Sequence, residues 1–306
     1  MQAIDALGPV FLLVVIGTLL RRWNMPGGEF WTLAERLTYY LFFPALLVHT
    51  LATASFTARD LGAVFFVVMI LMMSVATVLL LSARWLATDN AAFTSVFQGS
   101  LRFNTYVGLA AASGLWGETG LSIAAVAVAC MVPLVNLLCI AVFAWKGDRS
   151  GCLAQQVALN PLILACVLGI CLNLTGIGLP FWSESTLEIL GRPALPLGLL
   201  AIGVGLSFGS MRSAPRPLLV SSTIKLLLMP CLAALLCRIL ELETPYFEVL
   251  VLFFAIPTAS SAYILARQLG GDAPLMAAII TFQTVAAMLT LPLILGLLLA
   301  TAGGAG

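Results

Sequence analysis

The sequence predicts an all-α polytopic membrane protein with ten transmembrane helices, arranged as two inverted five-helix repeats. Three observations carry that prediction. The 306 residues are 61% hydrophobic and only 9% charged, where soluble domains run near 25% charged, and the mean hydropathy is +1.11. Lys and Arg alternate between successive connections, crowding on one side of the spans. Two apolar stretches, one in each half, are interrupted by polar residues, Gly and Pro at corresponding places.

A helix needs about 20 apolar residues to cross the hydrocarbon core. Such runs lie near 4–21, 33–54, 61–86, 92–115, 119–145, 157–175, 188–209, 216–239, 246–268 and 273–300. The first, Ile4 to Leu20, has no basic region before it and is followed by Arg21 and Arg22. It therefore reads as a retained span rather than a cleaved leader. The connections are short and leave almost no room for a domain outside the membrane. The expected division is 1–150 for the N-terminal repeat and 151–306 for the C-terminal, inverted repeat, within one integrated membrane domain.

Ten spans place both termini on one side, and the basic residues choose which. With the termini outside, the inner connections and span ends hold Arg21, Arg22, Arg36, Arg84, Lys146, Arg149, Arg212, Arg216 and Arg267. The outer ones hold Arg59, Arg192 and Arg238, leaving Arg102 and Lys225 within the membrane. The expected location is the cytoplasmic (inner) membrane, with the 146–156 loop in the cytoplasm. An extra or missing span would scramble this alternation.

Short echoes link the halves. Gly117-Glu118 opens the fifth span and Gly271-Asp272 the tenth, and Phe43-Pro44-Ala45-Leu46 in the second resembles Arg192-Pro193-Ala194-Leu195 in the seventh. Five spans is an odd number, so a second copy must enter the membrane the opposite way. Inverted repeats of that kind are common in secondary transporters, whose sites lie where interrupted helices meet near the midplane.

The interrupted segments are Phe97-Gln98-Gly99-Ser100-Leu101-Arg102-Phe103-Asn104-Thr105-Tyr106-Val107-Gly108 in span four and Ala255-Ile256-Pro257-Thr258-Ala259-Ser260-Ser261-Ala262-Tyr263 in span nine. Breaking a helix in lipid frees N–H and C=O groups that only protein or cavity water can satisfy. If the two breaks cross, the positive ends of the restarting helices converge and suit an anion. Arg102 would add a full charge and a carboxylate-matching fork. The candidate substrate residues are Arg102, Asn104, Thr105, Pro257, Thr258, Ser260 and Ser261. Each has a plainer alternative. Arg102 either meets an anion or caps carbonyls of the broken helix. Asn104, Thr258, Ser260 and Ser261 either line a site or bond one helix to another. Pro257 breaks the hydrogen-bond ladder in either case.

His49, the one histidine, either titrates in proton coupling or makes a neutral interhelical bond. Lys225, mid-span in helix eight, either approaches substrate or holds the broken helix. Glu118 and Asp272, at span starts, read as helix N-terminal caps. No Asp or Glu lies deep in a predicted span, so coupling to H+ or Na+ stays open. An uncoupled anion would leave down an inside-negative potential, worth about 2.3 kcal/mol per charge at 100 mV.

No metal site or cofactor is expected, since the seven cysteines show neither CxxC nor Cys/His spacing. No basic cluster suits nucleic acid. An intramembrane enzyme would need a convergent nucleophile and base or a metal, and neither is in view. A receptor would carry a soluble sensing domain.

The chain resembles the auxin efflux carrier family. The residues that carry the resemblance are Arg21-Arg22, Tyr40-Leu41-Phe42-Phe43-Pro44-Ala45-Leu46-Leu47, Arg102-Phe103-Asn104, Asn160-Pro161-Leu162-Ile163, Asn173-Leu174-Thr175-Gly176-Ile177-Gly178-Leu179-Pro180, Lys225-Leu226-Leu227-Leu228-Met229-Pro230 and Pro257-Thr258-Ala259-Ser260-Ser261-Ala262-Tyr263. The resemblance implies broken, crossing helices four and nine and elevator-like alternating access. It also implies a homodimer and a fold shared with bile acid, arsenite and riboflavin transporters. Ser261 stands where many members carry Asn, while Asn104 keeps the fourth-span Asn. The expected function is a carrier for small organic anions, working in efflux. The alternative is a sodium- or proton-coupled importer of carboxylates.

Overall fold

The computed structural model describes residues 2–54, 58–86, 89–146, 159–209 and 215–302. Every regular element among them is a helix. In order they are α1 (Gln2–Arg22), α2 (Gly28–Leu37), α3 (Phe43–Thr53), α4 (Ala58–Leu81), α5 (Ala83–Leu86), α6 (Asn90–Leu101), α7 (Thr105–Lys146), α8 (Pro161–Leu174), α9 (Phe181–Gly191), α10 (Ala194–Gly205), α11 (Pro215–Thr223), α12 (Met229–Ile239), α13 (Tyr246–Ala255), α14 (Ser261–Leu269) and α15 (Ala273–Ala302). Among the described residues, five stretches are long and apolar enough to cross a membrane: Leu61–Leu81, Asn90–Trp145, Phe181–Gly205, Pro215–Ile239 and Ala273–Leu297. Pro161–Leu174 and Tyr246–Ala255 are shorter apolar helices. The predicted 146–156 loop beyond Lys146, with Arg149 and Cys152, lies outside the described residues, as do Arg212 and the expected boundary at 150.

Local chemistry explains where the helices depart from uninterrupted rods. Pro44 and Pro230 have no N–H and would clash with the carbonyl four residues back. Each is preceded by one turn of π-helix, Thr38–Phe42 and Ile224–Leu228. The N–H of Phe43 reaches back to the Thr38 carbonyl, and that of Met229 to the Ile224 carbonyl. The wider turn admits the proline ring, so α2–α3 and α11–α12 each continue as one rod. Arg192-Pro193 instead separates α9 from α10, because Pro193 cannot close a bond onto Ile189. This divides the predicted 188–209 span and starts it seven residues earlier, at Phe181. Gly117 (φ 59, ψ −143) turns the chain inside α7 without a loop, a conformation that costs glycine least.

By its internal contacts the chain forms two compact units, each drawing on both halves of the sequence. The first comprises Met1–Gly62, Tyr106–Pro133 and Ala154–Gly205; the second comprises Ala63–Thr105, Leu134–Leu153 and Leu206–Gly306. In the first unit, α1 packs on α10 with almost no side chain between them. Gly17 lies against the Leu200 carbonyl and Gly203 against that of Val14. Thr18 Oγ1 then donates to the Gly203 carbonyl at 3.1 Å and Arg21 to that of Val204 at 3.0 Å. Small residues that admit close backbone approach are how helices associate where lipid removes the hydrophobic drive. The same logic seats Gly169 of α8 on Val48 and Leu51 of α3, and Gly191 of α9 on Leu46. Asn173 locks this group by donating to the Ala54 carbonyl at 2.6 Å.

The second unit buries α6, α13 and the middle of α15. Residues 249–256 are fully buried, and Ala92, Val96, Leu218, Ala262, Ala266, Leu275, Met276, Ala278, Ile279 and Ile280 share one apolar cluster. Asp89 caps α6 by accepting from Ala92 N–H, and Asp272 caps α15 by accepting from Leu275 N–H. The Asp272 N–H donates to the Ala91 carbonyl at 3.1 Å, and Ser95 Oγ donates to the Asp272 carbonyl at 2.9 Å. The starts of α6 and α15 are thereby tied together. Glu118 is exposed.

Candidate functional site

The second unit contains two helix interruptions, and they touch. α6 ends at Leu101 and the next helix begins at Thr105; α13 ends at Ala255 and α14 begins at Ser261. Arg102 and Ile256 both turn extended, with ψ 155 and 151. The Asn104 N–H, freed by the first break, donates to the Pro257 carbonyl in the second at 2.8 Å. Pro257 has no N–H of its own to satisfy. Asn104, Pro257 and Thr258 are all buried, so each polar backbone group here must find a protein partner.

One side chain supplies two of those partners. Gln283, fully buried midway along α15, accepts from the Thr258 N–H at 3.0 Å and donates to the Gly99 carbonyl at 2.9 Å. A primary amide has both a donor end and an acceptor end, so Gln283 staples the C-terminal end of α6 to the gap between α13 and α14. Ser221 of α11 completes the corner, lying 3.5 Å from both Gln283 Nε2 and Ser100 Oγ. Glycine at 99 permits this approach. A Cβ there would lie 2.5 Å from Ser221 Oγ and 2.7 Å from Ile279 Cγ2. Gly99→Ala is therefore expected to cost about 1–3 kcal/mol through overpacking, seen as a lower thermal midpoint. Ser221→Gly in the same chain should recover part of it. An unchanged midpoint in Gly99→Ala would show that the corner has slack.

Arg102 is 7% exposed. Its Nη1 donates to Ser261 Oγ at 3.2 Å, and its Nη2 donates to Asn136 Oδ1. Its Nε has no hydrogen-bond partner. The guanidinium therefore does not cap the broken helix; two side chains hold it in place with a donor to spare. The buried Cys139 thiol, one turn from Asn136, lies within its field. Gln98 Nε2 and Oε1, Ser222 Oγ, Thr258 Oγ1 and Lys225 Nζ are also buried without a hydrogen-bond partner. All belong to this unit.

The predicted residues thus fall into separate groups. Arg102, Asn104, Pro257 and Thr258 come together buried at the two breaks, and Ser261 joins them through Arg102 although its residue is exposed. Thr105 and Ser260 are half-buried at the edges of the breaks. Lys225 sits fully buried in the π turn between α11 and α12. His49 lies in α3, in the first unit. Glu248, in the first turn of α13, is buried at 6% exposure, a carboxylate placed where a helix N-terminus favours negative charge. Gln283, Asn136, Gln98 and Ser221 were not anticipated. The available signal was an amide alone in an apolar span, as in Phe282-Gln283-Thr284 and Val135-Asn136-Leu137.

Comparison with known proteins points to transport. Residues 150–295 match the family described as membrane transport protein, a stretch that holds Lys225, Pro257 and Gln283. The chain is also 26% identical over 290 residues to an uncharacterized transporter of Methanothermobacter thermautotrophicus, covering 93% of this chain and 94% of that protein. With its apolar helices and these two similarities, the chain is a membrane transporter, similar over residues 150–295 to the membrane transport protein family.

Proposed function

We propose that this transporter is a carrier for small organic anions across the cytoplasmic membrane, built as ten spans in two inverted five-helix repeats. Arg102, Asn104, Thr105, Pro257, Thr258, Ser260 and Ser261 surround the substrate. One observation carries the reading: the hydrogen bond from Asn104 N–H to the Pro257 carbonyl joins two helix breaks beside a buried, side-chain-held arginine. A buried guanidinium with an unused donor favours a carboxylate, whose acceptors match its geometry. Restarting helices at Thr105 and Ser261 add backbone N–H groups of the same sign.

Alternating access proceeds in an elevator-like manner, with the termini outside and the 146–156 loop in the cytoplasm. The chain works as a homodimer in the lipid bilayer. An inside-negative potential drives a monovalent anion outward without a co-ion, so the direction is efflux. A sodium- or proton-coupled importer of carboxylates on the same scaffold is the competing reading.

The test is a thermal-shift screen of the purified protein with monocarboxylates, dicarboxylates and amino acids, followed by flux in liposomes under a set potential. At least one carboxylate should raise the thermal midpoint and leave the liposome faster when the interior is negative. Flux confined to cations or to neutral solutes would refute the anion reading. Channel-like currents would refute the carrier.

A further inference from the structure

The end of the second unit at which α6 and α15 begin carries charge that nothing assigned above uses. α4 is apolar for 21 residues, Leu61–Leu81, about 30 Å of helix and so one hydrocarbon thickness. Val78 and Leu81 near its end are exposed. The chain then turns at Ser82 into the short α5, and Arg84 and Trp85 follow at once. They stand where hydrocarbon gives way to headgroups, the level at which tryptophan is enriched.

Arg216 reaches the same point from another helix. It is the second residue of α11, where the apolar stretch Pro215–Ile239 begins. Its Nη2 donates to the Trp85 carbonyl at 3.3 Å across 131 residues of sequence. Arg84 lays its guanidinium over the Trp85 ring, 4.5 Å from the centroid. One exposed tryptophan thus gathers two exposed arginines. Like charges converge at a cost unless an anion joins them. Among the described residues, neither arginine has an ion pair. The acids at this end are engaged elsewhere, Asp89 capping α6 and Asp272 capping α15. A third arginine here, Arg267, lies over the Tyr263 ring at 5.9 Å and also lacks an ion pair.

The vacant partner has a definite chemistry. A guanidinium has five N–H donors, and its bond to the Trp85 carbonyl leaves Arg216 four. A phosphate accepts such donors in parallel pairs. The exposed apolar side chains of Val78 and Leu81, directly beneath, favour a phosphate that carries an acyl chain over a free one. We propose that Arg84, Trp85 and Arg216 form a binding site for an anionic phospholipid. The two guanidinium groups hold its phosphate, the indole covers its glycerol, and an acyl chain lies along Val78 and Leu81. The lipid clamps α5 to the start of α11. Five residues further on, Ser221 meets Ser100 and Gln283, so the clamp steadies the helix that closes the corner of the two breaks. None of this depends on which solute is carried.

The test is the melting of delipidated protein in a non-ionic detergent with dioleoyl phosphatidylglycerol, dioleoyl phosphatidylcholine or glycerol phosphate. Phosphatidylglycerol should raise the thermal midpoint by roughly 3 °C more than phosphatidylcholine. Arg84→Ala and Arg216→Ala should each weaken that lipid about fivefold, and the double variant should lose the increment. Arg36→Ala removes an exposed charge from α2 in the first unit and should keep it. Equal stabilisation by the two lipids overturns the proposal, as does a double variant that responds like wild type. A loss in Arg36→Ala as large as in Arg216→Ala also overturns it, because it marks diffuse attraction to the bilayer. Glycerol phosphate that matches the lipid in wild type and fails in the double variant replaces the lipid with a soluble phosphate. Should the double variant not fold, Arg216→Ala is compared with wild type by native mass spectrometry from an equimolar mixture of the two lipids. Less retained phosphatidylglycerol in the variant supports the site, and equal retention overturns it.

Discussion

Arg102→Ala is expected to lower carboxylate affinity by roughly 10- to 150-fold, the equivalent of about 1.5–3 kcal/mol for hydrogen bonds to a charged group. The size follows from the surroundings. Asn136 and Ser261 hold the guanidinium in place, so its orientation entropy is spent before the anion arrives, and Nε keeps an unused donor. Arg102→Lys retains the charge but loses the planar fork, and should recover only part of the affinity. A purely structural arginine would produce a different pattern, with a lower thermal midpoint and unchanged affinity in whatever protein survives. Asn136→Ala separates the two roles further. It frees one edge of the guanidinium without removing the charge, and should weaken binding about three- to tenfold. Equal carboxylate affinity in wild type and Arg102→Ala would remove Arg102 from the site.

Gln283→Leu is expected to be the most damaging single neutral substitution in the second unit. It leaves the Thr258 N–H and the Gly99 carbonyl buried without their partner. At about 1–3 kcal/mol for each unsatisfied group, the loss is about 2–6 kcal/mol, read as a large fall in thermal midpoint. The functional effect is positional, because Gln283 need not touch the substrate. Once its amide is gone the two breaks can slide, and displacements near 1 Å cost on the order of 100-fold where geometry matters. A variant that folds should therefore lose maximal flux more than apparent affinity. Gln283→Asn keeps both ends of the amide on a shorter stem and should rescue folding better than flux. If Gln283→Leu melts and transports like wild type, the staple carries no weight.

The membrane class and the places of interruption were readable from one dimension. Arg102 in an apolar run costs too much to face lipid, and Pro257 removes an N–H wherever it sits. Both are properties of a residue and its immediate neighbours, and the helices do end at Leu101 and Ala255. Asp272 as a helix cap was readable for the same reason. Pro44 and Pro230 lie inside predicted spans, and whether a proline there makes a break, as at Pro193, or a π turn is not local. That outcome depends on whether the packing around each rod favours continuing it.

Composition, periodic apolar runs and single expensive residues determined by themselves that this chain is a helical membrane protein with two weak points in its rods. Only the tertiary structure decided who satisfies those weak points. Gln283 meets Gly99 across 184 residues of sequence, and Arg102 meets Ser261 across 159. A neutral amide in an apolar helix raises no alarm on its own, since its desolvation cost vanishes once both ends are bonded. The partner that does so is chosen by distance in space, and that distance is absent from the order of the residues.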